Sequence, residues 1–344
     1  MTLNPTQLLQ TLAAFILARM SILITGAPGV GKSEIVTQAA LTAQHDLIIS
    51  HPAVSDPTDF KGLPWPDANK KSAGFIPFGE FDKALRATVP TIWFFDDLGQ
   101  SSPAVQAACM QLFLARRVNG HILPDCVTFV AATNRRTDRA GVSGILEPVK
   151  SRFASIVELE ADIDSWCNWA FQNGISATLI AFLRYRDELL SKFVPTADLT
   201  NSPCPRTWSH VSRIEALNLP QTIESTVMGG AVGDGAATEY LAFRQMVKSL
   251  VNIDAILLDP TKAAIPTRPD QLYATMVGLA GRANAQTFNR IGTYLNRVID
   301  AQKGEFAVLC VRDAIRRDNG LLNTDTFNKL SCGPIGQLIS GKVN

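Results

Sequence analysis

Short apolar runs alternate with amphipathic stretches over the first half of the chain. Residues 21–25 (SILIT), 46–50 (DLIIS), 91–95 (TIWFF), 127–132 (VTFVAA) and 155–159 (SIVEL) are brief, rich in Ile, Val, Thr and Phe, and set off by turn residues, which predicts buried strands. Residues 33–44 carry helical spacing, and Ser102 followed by Pro103 supplies an N-cap with proline at the first helical position, opening a helix to about Ala115. Strands separated by helical crossovers imply a parallel, doubly wound sheet. After about Ala161 helices alone are predicted, over 164–172, 176–190 and 206–217. A further helical stretch runs from about Ala236 to the end, where Pro269 suits a helix start. The pattern is α/β over residues 1–160, then all-α over 161–255, then a helical extension over 256–344.

A chain of 344 residues suits roughly two to three domains at about 150 residues each. With 46% hydrophobic and 18% charged residues, wholesale disorder and collagen-like repetition are excluded. Thirty-two basic against 31 acidic residues leave a net charge of +1, so bulk electrostatics draws the chain neither to nucleic acid nor to an anionic membrane. The longest apolar stretch, 12–24, is interrupted by Arg19 and falls short of the about 20 residues that cross a bilayer. No membrane span is expected. The start MTLNPTQLLQ lacks a secretory signal, so a cytoplasmic location is expected. Cys109, Cys126, Cys167, Cys204, Cys310 and Cys332 form no CxxC pair and are expected to be reduced, mostly packed thiols. His45, His51, His121 and His210 lack metal-ligand spacing, and no GxSxG elbow occurs, so neither a zinc site nor covalent catalysis is expected. Trp166, Trp169 and Phe171 are expected in the core. Gly229, Gly230, Gly233 and Gly235 neither match GxGxxG nor follow a strand, and are expected to form a turn before a helix.

The chemistry is carried by Gly26, Ala27, Pro28, Gly29, Val30, Gly31, Lys32 and Ser33, which fit GxxxxGK[ST] between a predicted strand and a predicted helix. Glycines let successive N–H groups turn inward around a phosphate, and the following helix adds its positive end. Lys32 is suited to the β- and γ-phosphates of ATP and the Ser33 hydroxyl to Mg²⁺. The strand at 91–95 ends in Asp96-Asp97, a Walker B pattern in which Asp96 holds the Mg²⁺ hydration shell and Asp97 polarises the attacking water. The Asp97 position is commonly Glu in such ATPases.

With these motifs the sequence resembles an AAA+ ATPase of the MoxR family, the group that includes the CbbQ and NorQ activators. The resemblance spans residues 10–215 and is firmest over 21–153. Ala131-Ala132-Thr133-Asn134 is similar to the sensor 1 motif, Lys150-Ser151-Arg152-Phe153 to the arginine-finger box, and Pro205-Arg206 to sensor 2. Residues 56–64 resemble the family's insert within the helix after the second strand, and residues 115–121 its hairpin before sensor 1; in this group both face the central pore and the partner. The resemblance implies a P-loop NTPase fold with an all-α lid over 161–255, and a catalytic set of Asp97, Asn134, Arg152 and Arg206. Arg152 would act on a neighbouring subunit; its rivals are an intrachain salt bridge and Arg139 as an alternative finger.

The resemblance further implies a homo-oligomer, a hexameric ring, that couples ATP hydrolysis to remodelling, activation or assembly of a client or adaptor protein, often one with a von Willebrand factor A domain. The alternative is a nucleic-acid-dependent AAA+ motor or loader, with Arg116, Arg117 and Lys70-Lys71 as basic loops; near-neutral charge speaks against nucleic acid. A small-molecule kinase on the same phosphate loop is a third option, one that needs no intersubunit arginine.

Overall fold

Alternating side chains along the central strands sort the first half of the chain into two apolar layers. In the computed structural model, which describes residues 2–66, 72–138, 144–195, 199–250, 252–333 and 336, the first of two compact units takes in Met1–Asp162 and Phe193–Asp198. Its elements are β1 (Thr2–Leu3), α1 (Pro5–Leu17), β2 (Ile22–Gly26), α2 (Lys32–Ala43), β3 (Asp46–Ser50), α3 (Pro57–Lys61), β4 (Leu63–Pro66), β5 (Ala73–Ile76), α4 (Gly79–Leu85), β6 (Thr91–Phe95), α5 (Pro103–Ala115), β7 (Arg117–Val118), β8 (His121–Ile122), β9 (Val127–Thr133), α6 (Glu147–Lys150) and β10 (Ser155–Leu159).

Six strands form a parallel sheet in the order β1-β10-β2-β9-β6-β3, flanked by helices. Ile22, Ile24, Ile92, Phe94, Val130 and Ala132 pack against α1 and α2 on one face. Leu23, Trp93, Phe95, Phe129 and Ala131 pack against α3, α4, α5 and α6 on the other. Both faces are covered, so the strands read as near-continuous apolar runs. The predicted cap of α5 is present: Ser102 Oγ accepts from Val105 N at 3.3 Å and Pro103 opens the helix. β9 lies between β2 and β6 although it follows both in sequence. That insertion aligns the carboxyl-terminal ends of three strands, the place where open α/β sheets bind ligands.

The second unit takes in Ile163–Lys192 and Leu199–Asn344. It is helical: α7 (Ile163–Gln172), α8 (Ala177–Tyr185), α9 (Pro205–Ala216), α10 (Gln221–Val232), α11 (Asp234–Leu250), α12 (Ile253–Leu258), α13 (Pro269–Gly281), α14 (Phe288–Asp300), α15 (Gly304–Arg317) and α16 (Asp325–Cys332). Phe288, Ile291, Leu295 and Val298 recur at helical spacing on α14 and pack with Met276, Leu279, Cys310, Val311 and Leu330. Two expectations change here. The helix expected over 176–190 stops at Tyr185: Arg186 leaves helical geometry (φ −127°, ψ 63°) and there pairs with Glu188 and Glu239. The glycine-rich segment is largely helical, with Gly229 and Gly230 inside α10 and Gly233 (φ 82°) making the turn into α11.

Arg184 on α8 and Asp313 on α15 form a bidentate ion pair inside this unit, with side chains 4% and 0% exposed. The guanidinium also lies 5.7 Å from the Phe171 ring centroid. Burial alone would disfavour the cation, and the Asp313 carboxylate more than offsets that, so the Arg184 pKa is raised. Removing one partner strands the other charge. Asp313→Ala is expected to cost about 3–5 kcal/mol, read as a lowered midpoint in urea unfolding; an unchanged midpoint would show that the pair contributes nothing.

The thiols behave as packed side chains. Cys109, Cys167, Cys204 and Cys310 are buried. Burial pushes the Cys167 thiol up to about 12 and those of Cys109 and Cys310 upward as well, which leaves them protonated and weakly nucleophilic. Among the described residues no helix is long and apolar enough to cross a membrane, and no cluster of three metal-ligating side chains occurs.

Candidate active site

The loop between β2 and α2 turns through two left-handed glycines, Gly29 (φ 73°) and Gly31 (φ 108°), a conformation that a β-carbon would strain. Gly31 is the N-cap of α2 and makes no side-chain cap bond, so the helix opens with its N–H groups turned to the loop. Lys32, 7% exposed, donates from Nζ to Gly26 O (2.9 Å), Ala27 O (3.1 Å) and Asn134 Oδ1 (2.7 Å). Three neutral oxygens thus hold the ammonium at the mouth of the loop. This cradle fits the phosphates of a nucleotide: it offers backbone donors, a helix amino terminus and a cation.

β6 delivers the carboxylates. Asp96 N donates to Ser50 O on the neighbouring β3 (2.9 Å), and Ser33 Oγ donates to Asp96 Oδ2 at 2.6 Å. A hydroxyl and a carboxylate converging in this way form an all-oxygen donor set, which fits Mg²⁺. Asp97 follows in the left-handed region (φ 57°, ψ 34°), which Asp tolerates better than most residues. Its Oδ1 accepts from Gln100 Nε2 at 2.8 Å and faces Asn134 Nδ2 at 3.5 Å. One side-chain amide at the end of β9 therefore stands between Lys32 and Asp97, as the strand order β2-β9-β6 requires.

Arg152 follows α6. Its backbone is pinned, with N donating to Val149 O and O accepting from Ser21 Oγ, and Phe153 beside it packs on Phe113 at 5.1 Å. The guanidinium donates to Ser151 Oγ at 2.8 Å, its Nε is buried without a partner among the described residues, and it forms no ion pair among them. Arg135 differs: it is paired with both Asp138 and Glu158. Arg139 lies outside the described residues, as do Lys70 and Lys71. Arg206 is exposed in the first turn of α9, in the second unit. A cation there opposes the helix dipole, so helix stability does not explain it.

Two hairpins project from the first unit. All eight residues of β4 and β5 are exposed, Trp65 to 61%. The hairpin β7–β8 holds them at their base: His121 Nε2 donates to Phe75 O of β5 at 2.7 Å and Asn119 Nδ2 to Lys61 O at the end of α3 at 2.9 Å, while the His121 ring meets Phe81 edge-on. Arg116 is folded inward, donating to Pro124 O and Val127 O and lying over the Phe129 ring, so it is not a free basic loop residue. A cleft of about 380 Å³ opens on the α5–α6 face of the sheet and shares Asn134 with the loop site.

Gln100 is the site residue that sequence reasoning missed. Its only local signal is a polar amide three positions after the second carboxylate.

No protein-family model matches the chain, and no curated protein matches it. Among solved structures, a point mutant of RuvB from Thermotoga maritima is 14% identical with a TM-score of 0.40, over 73% of this chain and 75% of that one. NtrX from Brucella abortus is 16% identical with a TM-score of 0.40, over 91% and 67%, and NtrX in complex with ADP is 13% identical with a TM-score of 0.36, over 96% and 68%. At these scores the likenesses carry no functional weight. On its own residues, the chain is a six-stranded parallel sheet flanked by helices, with a phosphate-loop sequence at the end of β2 and a helical carboxyl-terminal region.

Proposed function

We propose that the first unit binds MgATP and hydrolyses it, as an AAA+ ATPase of the MoxR type. The observation that carries this reading is the Asn134 amide joining Lys32 to Asp97, with Ser33 and Asp96 in contact beside them. When bound, MgATP supplies the phosphoanhydride that water cleaves and the cation that screens its charge. In this assignment residues 26–33 hold the phosphates, and Ser33 and Asp96 hold the metal. Asp97 accepts the proton of the attacking water and Asn134 orients that water without adding charge. Arg152 serves the site of an adjoining subunit, which a guanidinium held by no carboxylate among the described residues supports, and Arg206 takes the sensor 2 role by resemblance.

An arginine donated in trans makes activity depend on assembly. We assign the chain to a homo-oligomeric ring, hexameric by resemblance and cytoplasmic, that remodels, activates or assembles a client or adaptor protein, one with a von Willebrand factor A domain among the candidates. The exposed hairpins with Trp65, Phe75 and Ile76 are the surface offered to that partner. The inward fold of Arg116 removes one of the basic residues the nucleic-acid motor would use, leaving Arg117 exposed on β7.

Lys32→Ala is expected to abolish ATP binding, read by fluorescence anisotropy of a labelled ATP analogue, because the loop loses its one cation. Undiminished affinity would remove the phosphate-loop assignment. Turnover per chain is expected to rise with protein concentration; a rate independent of dilution favours the small-molecule kinase.

A further inference from the structure

We propose that Gln100 is a positioning residue that compensates for the short arm of Asp97; the inference rests on the ATPase reading above. Residues 98–100 form a single 3₁₀ turn that brings Gln100 back over Asp97, with Gln100 N donating to Asp97 O at 3.0 Å and Gln100 Nε2 to Asp97 Oδ1 at 2.8 Å. Asn134 Nδ2 stands 3.5 Å from the same oxygen. Two donors converging on Oδ1 fix the rotation of the carboxylate. They leave Oδ2, which has no hydrogen-bond partner among the described residues, as the oxygen that receives a proton from water. Glutamate carries one more methylene and reaches its target through its own arm, whereas aspartate has to be aimed by its surroundings.

The orientation of the Gln100 amide is fixed, since reversing it would set Oε1 against the carboxylate. The consequence is visible at its other end: Gln100 Oε1 is buried and has no hydrogen-bond partner among the described residues. An orphaned buried acceptor destabilises the fold and calls for a reason. The bond from Nε2 to the Asp97 carboxylate holds the turn, but stability alone gives no reason for the buried Oε1 at its other end. A turn that aims Asp97 does, and Oε1 remains as a neutral acceptor for a donor that arrives with the substrate.

Gln100→Met keeps the length of the side chain and removes both polar atoms. Its kcat is expected to fall about tenfold while KM for ATP stays within about twofold, the pattern of a contact made in the transition state. In an Asp97→Glu background the same substitution is expected to cost less than about threefold, because coupled residues are non-additive. Equal losses in the two backgrounds overturn the proposal, as does a raised KM at unchanged kcat. An Asp97→Glu chain without turnover also overturns it, since arm length is then not what Gln100 makes good. Should Gln100→Met melt below the assay temperature, Gln100→Ala tests the same amide on a half-buried turn. Asp97→Asn separates the two levels. If that chain turns over normally, Asp97 has no part in the chemistry and this proposal falls while the ATPase reading stands; if it is inert while Gln100→Met is fully active, only the role of Gln100 is lost.

Discussion

An Asp97→Asn chain is expected to bind ATP as the unaltered chain does and to hydrolyse it about 10²–10⁴ times more slowly, the usual contribution of a general base. The geometry explains why the two properties separate. Asn keeps an oxygen at the Oδ1 position, where Gln100 Nε2 and Asn134 Nδ2 donate, so the turn and its left-handed backbone are preserved. At the Oδ2 position it places an NH₂ group, which donates hydrogen bonds and accepts no proton. The contacts of Lys32, Ser33 and Asp96 are untouched. Labelled-nucleotide binding and phosphate release, measured on one preparation, check both halves. Unchanged phosphate release would remove Asp97 from the chemistry.

Arg152→Ala is expected to retain ATP and to lose about 10³–10⁵ in turnover, the range associated with a missing arginine finger. The loss should be repaired by a partner that is itself inert. When Arg152→Ala and Asp97→Asn chains are dissociated, mixed and reassembled, some interfaces join an intact Walker pair on one subunit to an intact arginine on the next, and turnover returns at those interfaces. The pinned backbone of Arg152 is what such a role needs, because Ser21 holds its main-chain oxygen and, among the described residues, its guanidinium meets only the Ser151 hydroxyl while no carboxylate holds the charge. No recovery on mixing would move the role to Arg139 or to a site within one chain.

Local chemistry made part of this molecule legible from sequence. The runs at 46–50 and 91–95 are strands at those bounds; the second is fully buried, as a covered parallel strand rich in Ile and Phe should be, and the first, at the sheet edge, is marked by its β-branched pair Ile48-Ile49. Ser102-Pro103 marks a helix start since capping is decided within four residues. The loop–helix junction carries its own signature in the glycines and in Lys32. What sequence did not show depends on distant placement. The place of Asn134 beside both Lys32 and Asp97 was expected through the sensor 1 resemblance alone, since it is the insertion of β9 between β2 and β6 that sets it there and no local pattern encodes that order. Gln100 was overlooked because its role exists only once the turn at Asp97 adopts a positive φ. The stop at Tyr185 carries no local breaker, and Glu239, with which Arg186 pairs just beyond it, lies 53 positions later. β4 was obscured by its two prolines, which are tolerated in a strand paired on one side only.

The grip of the β7–β8 hairpin on its neighbour touches main-chain oxygens, those of Lys61 and Phe75, and not the side chains at those positions. Every residue type presents the same oxygen. Trp65, Phe75 and Ile76 are therefore free to be exchanged wholesale without releasing the latch, so recognition can be rewritten over evolutionary time, or grafted between relatives, while the mechanical link behind it stays constant.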